Sequence, residues 1–146
     1  MPSKPRFYKQ ETLYSCVPAC LRMVLSSHDF HISEAELREL CDCTPFGTDP
    51  FPAVLAARHL KFENTRSLTL TLAELAELVG DENYPFVEVN MGPIDGIKTA
   101  HALVVLAVGE TTVTVSDPMK GEREIPVDNF IAAWEMRDNL ATLVMK

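Results

Sequence analysis

His101-Ala-Leu-Val-Val-Leu-Ala-Val-Gly109-Glu-Thr-Thr-Val-Thr-Val-Ser-Asp117 reads as two strands folded back on each other. Residues 101–108 are apolar after the histidine. Residues 111–116 alternate Thr and Val with the period of two expected of a strand. Gly109 marks the turn. An odd-numbered loop there makes His101 face Asp117, Leu103 face Val115 and Val105 face Val113. Directly opposed residues carry Cβ atoms ~4.5–5.5 Å apart, within reach of an imidazole–carboxylate hydrogen bond. The same register gathers Thr112, Thr114 and Ser116 on the opposite face, whereas a two-residue loop would shift the pairing by one and separate His101 from Asp117.

Outward from this hairpin the second half of the chain stays β. Strands are expected at 86–90, 123–127 and 140–145, with a Gly- and Pro-containing loop at 91–98 and a helix at 128–134 capped by Asp128. The first half is helical. Residues 15–27 carry an apolar stripe of Val17, Cys20, Leu21 and Val24; Ser15 is placed to cap and Pro18 falls in the first turn, where a missing N–H is harmless. A second helix fits 33–41, with Ser33 and Glu36 in capping-box spacing and Leu37 and Leu40 facing inward. Residues 44–52 read as loop, 52–60 as a short helix, 62–67 as a strand and 72–79 as a helix ended by Gly80. Helices first and strands second, without βαβ alternation, predict an α+β fold with N-terminal helices packed on a C-terminal antiparallel sheet. Residues 1–146 fit a single domain.

Composition narrows the function classes. Hydrophobic residues make up 47% and charged residues 23%, an ordinary globular balance. The net charge of −8 argues against a nucleic-acid partner, because phosphate contacts need clustered positive charge. Residues 1–10 are polar and contain two prolines, unlike a secretory signal. The longest apolar run, 102–108, is far short of the ~20 residues that span a bilayer, so no membrane insertion is expected. The four cysteines are then read as reduced thiols in a cytoplasmic protein rather than a disulfide framework.

Cys16 stands out among them. A cysteine in the first turn of a helix lies near the positive end of the helix dipole and free N–H groups, which favours the nucleophilic thiolate. Cys20, one turn later on the apolar stripe, is better explained as core. A helix-start Cys with a strand His held by an Asp is the general arrangement of nucleophile, base and orienting acid. Acyl transfer also needs donors for the oxyanion; the Cys16 N–H is one candidate and the Gln10 amide another.

These residues carry a family resemblance. Gln10-Glu-Thr-Leu-Tyr-Ser-Cys16-Val-Pro-Ala-Cys20-Leu-Arg-Met23 resembles the nucleophile motif of the bacteriocin-processing peptidases, papain-like domains best known at the N-terminus of ABC exporters that cleave double-glycine leaders. His101-Ala-Leu-Val-Val, then Val113-Thr-Val-Ser-Asp117-Pro-Met-Lys-Gly121, then Phe130 and Trp134, resemble its second motif. The resemblance implies a papain-like cysteine peptidase with catalytic Cys16, His101 and Asp117 and an oxyanion-hole Gln10. It implies no cofactor and no metal, a peptide or protein substrate with small residues such as Gly-Gly near the cut, and a separate ABC exporter as a candidate partner. The sequence departs from the family at Ser15, where an acid is common, and at Val17 and Ala100, where Gly is frequent. Val17 and Ala100 would narrow the cleft beside the scissile bond.

The same triad also suits a deamidase or transamidase, and the fold could serve as a non-catalytic peptide-binding module. Cys41-Asp-Cys43, with His28 and His31, offers zinc ligands on paper, but in spacings that match no regular zinc pattern. Glu74 and Glu77 read as a solvated helix face, and Phe130 and Trp134 as core.

Overall fold

A computed structural model describes residues 2–146. Helices α1 (Cys16–Ser27), α2 (Glu34–Leu40) and α3 (Pro50–His59) come first. Strand β1 (Arg66–Thr69), helix α4 (Leu72–Gly80), strand β2 (Phe86–Asn90) and the short helix α5 (Gly92–Asp95) follow. Strands β3 (Ala100–Val108), β4 (Thr112–Asp117) and β5 (Gly121–Pro126), helix α6 (Val127–Glu135) and strand β6 (Leu140–Leu143) complete the chain. The strands form one antiparallel sheet in the order β1-β6-β2-β3-β4-β5, so the architecture is α+β.

Why β3 is apolar on consecutive residues follows from its place. Ala102 and Val104 join a cluster with Leu21, Val24 and Leu37 beneath the first helices, whereas Leu103 and Val105 join Leu75, Phe130 and Trp134 beneath α4 and α6. A strand covered on both faces loses the alternation of a half-exposed one. The sheet is therefore layered on both sides, the N-terminal helices on one face as expected and α4 and α6 on the other. Phe130 and Trp134 are core, with ring centroids 5.6 Å apart.

Several boundaries differ from expectation. The expected loop at 91–98 contains α5, closed by Gly96 at φ 79°, a left-handed position suited to glycine. Phe62 does not begin β1 but is buried against the first helices, with edge-on contacts to His28 and Phe30. β5 runs Gly121–Pro126, and α6 begins at Val127 with Pro126 rather than Asp128 in the cap position. Glu74 is more than a solvated acid. Thr71 Oγ1 accepts the Glu74 N–H while Glu74 Oε1 accepts the Thr71 N–H, a reciprocal capping box that starts α4.

The hairpin differs most. Val108 pairs with Val113, so the loop between them has an even number of residues. An even loop puts every β3 side chain on the face opposite to the expected one. The register then shifts between Val105 and Ala107, leaving Leu106 as the extra residue, and from there Val105 pairs with Val115 and Val104 with Ser116. A bulge of one residue restores the original faces. Continued one step, this register sets Asp117 opposite Leu103, and His101 is its diagonal neighbour rather than its direct partner.

Candidate active site

Gln10, Cys16, His101 and Asp117 all line one open cavity of about 540 Å³. Cys16 is the first residue of α1, His101 the second of β3 and Asp117 the last of β4. β3 and β4 are antiparallel, so the start of one and the end of the other share an end of the sheet, and the N-terminus of α1 abuts it.

His101 bridges the other two members. Its Nε2 lies 2.8 Å from Asp117 Oδ1, and the Cys16 thiol is the other group that interacts with the ring. A diagonal pair has Cβ atoms farther apart than a facing pair, but still within reach of an aromatic ring. Burial works against charge on His101, and the hydrogen bonds to Asp117 and Cys16 overcome it, raising its pKa to about 9. The ring therefore remains an imidazolium through neutral pH. Asp117 is almost completely buried, which opposes its charge, yet the bond from His101, the Met119 N–H at 2.8 Å and Arg123 hold its carboxyl below the usual range.

The segment before Cys16 is tied at several points. The Gln10 N–H donates to Pro118 O at 2.8 Å, fastening it to the residue after Asp117. Ser15 does not cap α1 as expected. Its buried Oγ instead accepts the Thr12 N–H at 3.1 Å and donates to Thr12 O at 3.3 Å. Spending that hydroxyl inside the turn leaves the helix start without a side-chain cap, beside Cys16. Gln10 Nε2 donates to Thr12 O at 2.7 Å, and an amide nitrogen carries a second hydrogen. Gln10 Oε1 is buried without a hydrogen-bond partner.

Glu34, read only as part of a helix, stands under this segment. It is buried near Ser15; its Oε1 accepts the Glu11 N–H at 2.9 Å, and Arg38 approaches it at 3.1 Å. Burial pushes its carboxyl upward despite the donor from Glu11. The other cysteines do not line the cavity. Cys20 and Cys41 are core, and burial pushes the Cys41 thiol up to about 12, whereas half-buried Cys43 approaches Tyr14 O at 3.8 Å. Among the described residues, no three His, Cys, Asp or Glu side chains converge as a metal-ligand set.

Residues 4–143 match the profile of the Peptidase C39 family. The chain belongs to that family. An uncharacterized protein from Methanothermobacter marburgensis is 34% identical over 122 residues, covering 84% of this chain and 78% of the relative. Among solved structures, the peptidase domain of Streptococcus ComA, a bifunctional ABC transporter of a quorum-sensing pathway, superposes with a TM-score of 0.80 at 26% identity, covering 99% of this chain and 100% of that one. A double-glycine-motif protease from an AMS/PCAT transporter, in complex with its leader peptide, reaches a TM-score of 0.74 at 17% identity, covering 97% and 91%, and shares the fold. The family is one of cysteine peptidases, and the chain shares the α+β architecture of its peptidase domains. Among the described residues, no helix is long and apolar enough to cross a membrane.

Besides Glu34, sequence reading missed Arg123 and Asp95, which form an ion pair beside Asp117. Neither lies in the quoted motifs. The only available signal was the period of two in β5, which places Arg123 on the same face as Gly121, the residue paired with Asp117.

Proposed function

We propose that the protein is a cysteine peptidase that cuts an extended peptide after small residues such as Gly-Gly. The observation that carries this reading is the placement of His101, with Nε2 on Asp117 and Cys16 beside the ring, at the wall of an open cavity. In this reading residues 1–146 act as one catalytic domain.

The Cys16 thiolate attacks the scissile carbonyl, forming the C–S bond as the carbonyl electrons move onto oxygen. The free hydrogen of Gln10 Nε2 and the Cys16 N–H receive that oxyanion. The His101 imidazolium gives its proton to the leaving amine as the C–N bond breaks, which leaves an acyl thioester on Cys16. Neutral His101 then takes a proton from water, the hydroxide attacks the thioester, and the acid product departs with Cys16 restored as thiolate. Asp117 keeps the imidazole oriented and offsets its charge throughout.

Val17, 2% exposed, and Ala100 both line the cavity beside the reacting atoms. Their side chains leave less room there than glycines would, which favours small residues at the cut. Leu13, Tyr14, Phe46 and Ile97 are exposed and line the cavity, an apolar border suited to a peptide held in extended form. The family includes leader-processing proteins, so a peptide delivered to or from a separate ABC exporter is the partner chemistry we favour. Reduced Cys16, Cys20, Cys41 and Cys43 suit a cytoplasmic setting.

The test is incubation with synthetic peptides bearing an internal Gly-Gly-Xaa segment, read by mass spectrometry. The wild-type protein yields two fragments split after the second Gly, and Cys16→Ala yields none. Intact peptides with both proteins contradict the reading, as does equal cleavage by both.

A further inference from the structure

Arg123 lies on β5, next to β4, and its guanidinium faces two carboxylates at once. Nη1 is 3.3 Å from Asp117 Oδ2, while Nη1 and Nη2 grip Asp95 Oδ2 and Oδ1 at 3.0 and 2.7 Å. Asp95 closes α5 and also accepts Lys120 Nζ at 3.0 Å. The hydrogen bonds from Arg123, helped by Lys120 against slight burial, hold the Asp95 carboxyl far below the usual range, so the clamp is fully charged at any working pH.

The Asp117 carboxylate shows why this matters. Its Oδ1 carries two donors, His101 Nε2 and the Met119 N–H. Among the described residues, Arg123 alone donates to Oδ2. Without it a buried acceptor would be left unpaired and the charge of Asp117 less offset. The fork of Asp95 fixes the guanidinium plane, and a bidentate ion pair holds geometry better than a single contact.

We propose that Arg123, anchored by Asp95, is a positioning residue for His101: it locks the second oxygen of Asp117 and offsets part of its charge, so that the imidazolium releases its proton to the leaving amine. This rests on the reading of His101 as acid and base. The groups facing His101 are Cys16 from α1 and Asp117 from β4. Glu88 of β2 and Lys120 and Arg137 share the cavity wall. Arg123 acts on this set only through Asp117. Because the Met119 N–H still holds Oδ1, removing the guanidinium charge leaves Asp117 in place and more negative toward His101.

The experiment is the His101 titration by NMR, assigned by comparison with His101→Gln, together with turnover of a cleaved peptide at pH 7. In Arg123→Met the midpoint rises by about one unit, and turnover falls about tenfold because the proton is released less readily. Arg123→Lys returns the midpoint toward wild type while recovering turnover only in part, because an ammonium supplies charge without the fork. If Arg123→Met does not fold, Asp95→Asn, which loosens the guanidinium without touching Asp117, serves in its place and moves the midpoint in either direction away from wild type. A folded variant with the wild-type midpoint overturns the proposal, and so does a Lys variant that titrates like Met. The titration needs no catalysis, so an inactive wild-type protein would sink the peptidase reading while leaving this clamp measurable.

Discussion

His101 gives its Nε2 to Asp117 Oδ1, 2.8 Å away, which leaves Nδ1 for the Cys16 side. In the proposed mechanism the acid thus selects both the orientation of the ring and the nitrogen that handles the proton. Replacing Asp117 with Asn keeps the shape but removes the charge that favours the imidazolium. The expected outcome is a loss of turnover on the order of 10²–10⁴ and a downward move of the His101 midpoint. A variant with wild-type turnover would remove Asp117 from the mechanism.

The Gln10 amide has one hydrogen on Thr12 O and one unspent. If that second hydrogen receives the oxyanion, it acts in the transition state more than in the bound substrate. Gln10→Ala is then expected to lower kcat about 10²–10³-fold while KM changes little. A raised KM at constant kcat would mean that Gln10 binds substrate instead.

Glu34 holds the turn before Cys16 through the Glu11 N–H. Glu34→Ala leaves the part-buried Glu11 amide unpaired and Arg38 without its buried partner, so a destabilisation of about 1–3 kcal/mol is expected in urea unfolding. Glu34→Gln, which retains an acceptor for the amide, is expected to cost less. Equal losses in the two variants would show that the charge, and not the hydrogen bond, carries the effect.

Stability should track the His101 titration. Its folded-state pKa, about 9, lies above the ordinary ~6.5, so the imidazolium contribution is complete below about pH 6.5 and is lost as pH rises through about 9. The gap in unfolding free energy between wild type and His101→Ala is expected to shrink between pH 6 and pH 10. A gap that is constant over that range contradicts the ion pair.

What the sequence made legible follows from what is local. The Cys16 helix, the apolar run of β3 and the Thr/Val alternation of β4 each depend on residues within one element, and they lie where periodicity put them. The His101–Asp117 contact was expected from a simple hairpin, but it arises through an even loop and a bulge at Leu106 that cancel in parity. Nothing in Val104-Val105-Leu106-Ala107 announces a bulge, because all four residues suit a strand. The second layer of helices was missed for a related reason: Leu75, Phe130 and Trp134 show an apolar face, yet periodicity does not say which side of a sheet it covers. Ser15 and Glu34 were beyond local reading as well, since 19 positions separate them and only the packing of α1 on α2 brings them together. Arg123 and Asp95 meet across 28 positions, and only the completed sheet brings them together.

The most direct test of the central claim is the rate of iodoacetamide labelling at pH 6.5, resolved by mass spectrometry for each cysteine, in wild type and His101→Ala. Cys16 is expected to label fastest of the four, with buried Cys20 and Cys41 inert, and the substitution is expected to slow Cys16 about tenfold or more by removing the cation that favours its thiolate. Labelling of Cys16 at the rate of Cys43, or at a rate indifferent to His101, would contradict the nucleophile–base pair on which the whole account rests.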